Sequence, residues 1–479
     1  MSQDLIASLS AIVGASHVLQ SGDLSAYTHD WRKRHQGKAL AVVLPGSTEE
    51  VAAVVKVCAG AKVPLVPQGG NTGLVVGGVP DTSGQQIVLS LKRMQSVRQV
   101  DGANLTMTLD AGCVLQHAQE AAQRAGYWLP LSLAAEGSCT IGGNLATNAG
   151  GTQVLRFGNA RDLCLGLEIV TPQGEIWSGL SGLRKDNTGY DLRHLMIGSE
   201  GTLGIITAAT LKVYPQPVAH WTAWACVPNV EAAVQLLGLA QQRLGPTLTG
   251  FEMMGRFALS LVTKHFPDLR VPFPDAAYGV LLESSDFESE AHARALFDQL
   301  LEQALEAGCI TDAVVAESMA QAKGLWHVRE SIPLAQAQEG LNIKHDISIP
   351  VSKMAAFVEQ TDATLQAAVP GVRLVNFGHL GDGNLHYNVQ CPEGADGRAF
   401  LADFEETINT LVFDAVLAFD GSISAEHGVG SLKAGKLPHY KSAVALQMMR
   451  QIKQALDPDN LFNPGRVLGE PQNPIDSHQ

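Results

Sequence analysis

At 479 residues the chain exceeds what a single hydrophobic core organises, so two or three domains are expected. Forty-seven acidic against 33 basic side chains give a formal charge of −14, and no Lys/Arg-rich run interrupts it. That balance argues against nucleic acid and anionic membrane surfaces as partners, while leaving room for a local basic pocket that holds a small anion. Seven cysteines show no CxxC spacing, which reads as reduced thiols in a cytoplasmic protein.

The opening "MSQDLIASLSAIVG" carries an acid where a signal peptide carries bases, and it reads as an amphipathic helix starting near Asp4. No apolar run reaches the length of about 18 residues that spans a bilayer. Residues 47–67 open on a capping box, Ser47 with Glu50, and break at Gly60 before a β-branched run, which predicts a helix feeding a strand. From about 67 to 210, short Val/Ile/Leu runs alternate with glycine clusters, a β-rich texture with many backbone-led loops. "YPQPVAH" at 214–220 reads as a domain boundary, and the mixed strand-like and helix-like pieces after it predict a second α+β domain built on an antiparallel sheet. The expected organisation is α+β throughout: 1–217, 218–420, and a 421–479 segment packing back on the first domain.

Three glycine clusters, "GGNTG" (69–73), "IGGNLATNAGG" (141–151) and "GSEGTLG" (198–204), let successive backbone N–H groups converge on an anion. Taken singly each reads equally as a tight turn, but three of them suit a long pyrophosphate cofactor. A strand–GxGxxG–helix unit with a following acid is absent, which disfavours a Rossmann NAD site. "GSLKAGKL" at 430–437 imitates a phosphate loop, yet Leu437 stands where a metal-binding hydroxyl is required.

In "FGHLGDGNLHYN" (377–388), Asp382-Gly383 predicts a two-residue hairpin that sets His379 opposite His386, with Asn388 on the same face. Glu426 of "SAEHGVG" would complete a His/His/Glu set, while His427 faces elsewhere. Such a set suits Zn²⁺, with Mn²⁺, Fe²⁺ or Co²⁺ as alternatives; the bland reading is two histidines hydrogen-bonded in a core or turn. Arg329 and Lys344 each bring one cation into apolar surroundings, as a carboxylate clamp would, or as solvated surface charges would.

The glycine loops in this order, followed by "FGHLGDGNLHYN", "AEHGVG" and "NPGR", resemble the FAD-linked D-2-hydroxy acid dehydrogenases, flavoproteins of the vanillyl-alcohol-oxidase type, over about residues 38–468. The resemblance implies a vanillyl-alcohol-oxidase-type FAD-binding domain and oxidation of a D-2-hydroxy acid to the 2-oxo acid. D-2-hydroxyglutarate is the expected substrate, D-lactate the alternative. It further implies that Pro67, Gly69, Gly70, Asn71, Thr72, Gly73 and Leu74, with Gly137, Ser138, Thr140, Gly142, Gly143, Asn144, Thr147 and Asn148, bind the pyrophosphate and ribityl region of FAD. Glu200, Gly201, Gly204 and Ile205 would lie near the adenine, and Asn463 near the flavin ring. Relatives with covalent flavin carry histidine where Asn71 stands, so noncovalent FAD is expected. By the same resemblance His379, His386 and Glu426 match metal ligands, Asn388 and His427 substrate contacts, His427 the catalytic base, and Arg329 and Lys344 the clamp. Pro333 stands where hydroxyglutarate enzymes often place threonine, and Arg466 where lysine is usual. Electrons would leave to a separate acceptor, an electron-transfer flavoprotein, a quinone or a cytochrome. A homodimer and peripheral attachment to a membrane are both compatible with the sequence. Two rival classes are a metal-dependent hydrolase without flavin and a catalytically silent flavin-binding subunit.

Overall fold

The computed structural model describes residues 2–469; Met1 and the last ten residues of the expected 421–479 segment lie outside it. The chain forms two compact units, one of residues 1–149, 159–215 and 427–479, the other of 150–158 and 216–426.

In the first unit the strand Ala39–Val43 leads through the helix Thr48–Ala61 to the parallel strand Leu65–Gln68, and Gln86–Ser90 is paired between the two strands. Ser47 caps the helix by accepting the Glu50 N–H at 3.2 Å. The helix continues through Gly60 and stops at Lys62, which adopts a left-handed φ of +54°, so the expected break at Gly60 is displaced by two residues. Interior helical glycine weakens a helix without ending it. Residues 461–463 lie along the outer edge of Leu65–Gln68: Leu65 N–H donates to the Leu461 carbonyl and Asn463 N–H to the Leu65 carbonyl. A second, five-stranded antiparallel sheet runs in the order Val97–Asp101, Thr106–Asp110, Ile205–Lys212, Cys164–Val170, Ile176–Gly179.

The second unit is one eight-stranded antiparallel sheet in the order Asp312–Val315, Ala219–Val227, Tyr278–Asp286, Leu248–Gly255, Arg373–Gly378, Asn384–Gln390, its last edge shared by Asn342–Ile343 and Asp346–Ser348. The helices Arg256–His265 and Met319–Glu339 cover one face through Ala258, Val262, Val328, Ile332 and Ala335, packed on Trp224, Met254, Val375 and Phe377. Asn384–Gln390 shows why the functional side chains gather on one side. Leu385, Tyr387 and Val389 enter apolar core, while the alternate positions are Asn384, His386, Asn388 and Gln390.

Glu339 ends the longer helix with its carboxylate between Lys264 (2.7 Å), His265 (2.7 Å) and Arg373 (2.7 Å). Burial opposes its ionisation, but these three donors outweigh it and hold the carboxyl down at about 2. The pairing therefore stabilises the unit fully above the ordinary value of 4.5, and this contribution is lost as pH falls from there toward 2. Glu339→Gln should flatten that part of the stability–pH curve and lower the thermal midpoint, by about 2–4 °C for each kcal/mol removed; calorimetry across this range checks it.

Candidate active site

The glycine clusters meet in the first unit around a cavity partly open to solvent. Pro67, Gly69, Gly70, Asn71, Thr72, Gly73, Thr140, Gly142, Gly143, Asn144, Thr147, Glu200, Gly201, Gly204, Ile205 and His427 all line it. Leu74, Gly137, Ser138, Asn148 and Asn463 do not line it. Asn148 accepts the Arg161 N–H, and Asn463 donates its amide to the carbonyls of Gly77 and Glu200.

Close approach explains two of the glycines. A Cβ on Gly69 would stand 2.3 Å from Thr140 Oγ1, and one on Gly70 would stand 2.0 Å from the Ser138 carbonyl oxygen. Among the described residues, the backbone N–H groups from Gly69 to Gly78 donate to no protein acceptor. A run of such donors, most of them half-buried, forms a cradle for an anion, which fits a pyrophosphate. Gly70→Ala should therefore give a protein depleted of flavin, read from the flavin-to-protein absorbance ratio.

Two residues of this cavity act on the protein itself. Asn71, at a left-handed φ of +55°, donates to the carbonyls of Ala26 and His29. Glu200, at φ +53°, turns its buried carboxylate to the N–H groups of Val429 and Gly430, both at 2.7 Å. Burial pushes its carboxyl above the ordinary value.

In the second unit the hairpin differs from expectation. Phe377, not His379, lies opposite His386, and the turn is a 3₁₀ segment Leu380–Asp382 closed by Gly383. A two-residue type I′ turn needs positive φ at both central residues, and only Gly383 (+83°) has it. Instead Asp382 accepts the Asn384 N–H through its side chain, which widens the loop and carries His379 beyond the ladder.

The two imidazoles nonetheless stand edge to face, 5.6 Å between ring centres. Two imidazoles on one tetrahedral ion at about 2.0–2.1 Å stand roughly 5 Å apart by that measure, yet His379 is not among the described residues whose ligand atoms converge within 4.8 Å of one another. His386 Nε2 is 3.8 Å from Glu426 Oε1, and Glu426 also accepts the Gly151 N–H at 3.2 Å.

The sequence reading missed two carboxylates. Asp346 lies directly across from His386 on the other neighbouring strand, and one ligand atom from each of Asp346, His386 and Glu426 falls within 4.8 Å of the others. Asp346 accepts from Asn384 Nδ2 (2.9 Å) and from the backbone N–H groups of Ala425 and Glu426 (3.2 and 3.0 Å), which fastens the segment that bears Glu426. Glu252, fully buried, accepts from Arg329 Nε at 2.7 Å and faces His379 Nδ1 at 2.5 Å. Burial works against charge on Glu252 and His379, but the opposed pair holds Glu252 down at about 2 and lifts His379 to about 9.

Arg329 lies over the Phe377 ring, 5.0 Å from its centre, and uses only Nε on protein; among the described residues its two terminal nitrogens have no protein acceptor. Pro333, one turn on, lacks the N–H that would have paired with the Arg329 carbonyl. Lys344 is half-buried between two short strands whose register continues across it, which places it on the face of Asp346, His386 and Asn388. Asn388 is committed inside the protein, with Oδ1 accepting the His345 N–H and Nδ2 donating to Gln336.

The chain matches the description "FAD linked oxidases, C-terminal domain" over residues 216–467 and "FAD binding domain" over 39–179. The chain belongs to the FAD-linked oxidase family. It is an FAD-dependent oxidoreductase, and the match leaves the flavin-free hydrolase without support. A D-2-hydroxyglutarate dehydrogenase of Xanthomonas citri pv. viticola is 40% identical, the alignment covering 94% of this chain and 93% of that protein. A mitochondrial D-2-hydroxyglutarate dehydrogenase of Bos taurus is 36% identical, covering 98% of this chain and 84% of that one. The solved structure of p-cresol methylhydroxylase with substrate bound aligns with a TM-score of 0.76 at 15% identity, covering 98% of this chain and 97% of that one. The oxidoreductase thus has the α+β fold of the vanillyl-alcohol-oxidase-type flavoproteins. Among the described residues no helix is long and apolar enough to cross a membrane.

Proposed function

We propose that this FAD-dependent oxidoreductase converts D-2-hydroxyglutarate to 2-oxoglutarate with the help of a divalent cation, most simply Zn²⁺, held by His379, His386 and Glu426. The observation that carries the reading is the gathering of Glu426, Asp346 and the His379 ring about His386, with Arg329 lying over Phe377, the residue paired with His386. Bound FAD would supply the acceptor for the hydride on Cα, and the ion would lower the pKa of the 2-hydroxyl.

The protein's own part is binding, orientation and proton removal. The free edge of the Arg329 guanidinium and the Lys344 ammonium hold the distal carboxylate, replacing the hydroxyl donor that Pro333 lacks. His427, joined to Glu426 by a peptide bond and lining the glycine cavity, takes the hydroxyl proton. Asn388 orders the strand beside the substrate through its two internal bonds. The seven free, buried cysteines fit the expected cytoplasmic setting, and electrons would leave to a separate acceptor such as an electron-transfer flavoprotein, a quinone or a cytochrome.

Anaerobic mixing with D-2-hydroxyglutarate, D-malate and D-lactate, each with and without chelator, tests the reading. Hydroxyglutarate should bleach the flavin fastest and chelator should slow it; faster bleaching by D-lactate overturns the substrate, and no bleaching by any of them leaves a silent flavin-binding subunit. Lys344→Met should raise KM for hydroxyglutarate about 10–100-fold, the worth of one charged hydrogen bond, with D-lactate kinetics unmoved.

A further inference from the structure

We propose that Glu252 is a positioning residue that presents His379 to the metal and Arg329 to the substrate carboxylate, a role that rests on the metal and clamp assignment above. Glu252 lies on the strand Leu248–Gly255, next to the pairs Met254 with Phe377 and Met253 with Gly378, so the next step of that register points at His379. Nothing at sequence level joins two residues 127 positions apart.

The two carboxylate oxygens divide the work. Oε1 meets His379 Nδ1 and Oε2 meets Arg329 Nε. Nδ1 is the nitrogen that faces the carboxylate, so an imidazole that gives up one proton to bind a cation would keep the other on Nδ1 and present Nε2 to the ion. On the other side, occupying Nε fixes the guanidinium over Phe377 and leaves its two terminal nitrogens as a planar fork for a carboxylate. One rigid, solvent-free anion thereby aligns the two ends of the bound acid. Side chain and partners are all at least nine-tenths buried, so neither can be reoriented by water.

The test compares Glu252→Gln and Glu252→Asp with the wild-type holoenzyme, using Zn²⁺ dissociation constants from competition with a chromophoric chelator, and KM and kcat for D-2-hydroxyglutarate. Flavin content and thermal midpoint serve as folding controls. The amide of Glu252→Gln can accept from only one partner, and the shorter Glu252→Asp cannot reach both. Zn²⁺ affinity should fall about 10–100-fold in the Gln variant, less in the Asp variant, with KM raised and flavin retained. Wild-type Zn²⁺ affinity and KM in either folded variant overturn the proposal. Should neither variant fold, a zinc-loaded wild-type crystal decides: the ion on His379 Nε2 with Nδ1 still on Glu252 is expected, and the ion on Nδ1 overturns it. A wild-type protein that binds no divalent cation defeats the metal assignment itself and this role with it, whereas equal affinity in wild type and variants defeats only the role of Glu252.

Discussion

His427→Asn is expected to lower kcat about 10²–10⁴-fold, the usual worth of a positioned general base, while the protein stays yellow. The imidazole lines the same cavity as the glycine loops, yet the N–H groups of 69–78 proposed to hold the flavin belong to the backbone, which the substitution leaves alone. The Val429 and Gly430 N–H groups that follow it remain fixed by Glu200, so the loop should keep its path. Stopped-flow flavin reduction separates the cases. Slow reduction with unchanged substrate affinity identifies a base, whereas reduction at the wild-type rate would remove His427 from the chemistry.

Glu426→Gln should cost as much or more, since it removes the anionic member of the His379, His386 and Glu426 set; a cation's stabilisation of developing oxyanion charge is worth several kcal/mol, roughly 10³-fold in rate. Asp346 makes this substitution informative. It continues to bind the Ala425 and Glu426 N–H groups, so the backbone should not move, and the loss can be read as a ligand effect. Metal content by atomic emission should fall together with activity, and excess Zn²⁺ should restore part of both. Full activity in a metal-depleted Gln variant would refute an obligatory cation.

The parts that were legible in the sequence are those in which chemistry and proximity coincide along the chain. The glycine loops and the Glu426-His427 dipeptide each carry their signal within a dozen residues; the His379 and His386 neighbourhood does too, although the facing register expected of it belongs to Phe377. The carboxylates Glu252, Asp346 and Glu200 were not legible in these roles, because each gains its role from a partner far along the chain, such as Val429, 229 positions from Glu200. Asp346 stands two residues from Lys344, and strand alternation puts both on one face; even so, a lone acid in a strand carries no metal signal until the histidine across from it is known. The Asp-Gly turn misled for a conformational reason. Its aspartate caps the following N–H from a 3₁₀ turn, so the short loop that Asp-Gly favours in isolation is not formed.

The strip at 461–463 that borders Leu65, together with the Asn463 bridge to Gly77 across 386 positions, has a bearing on biogenesis. A ribosome delivers the glycine loops early, and the strip whose Asn463 ties Gly77 to Glu200 only after everything from 216 to 426 has emerged. Loading of the coenzyme should accordingly be a late, post-translational event, and stalled nascent chains ending before residue 461 should fail to retain it however much FAD the translation mixture contains.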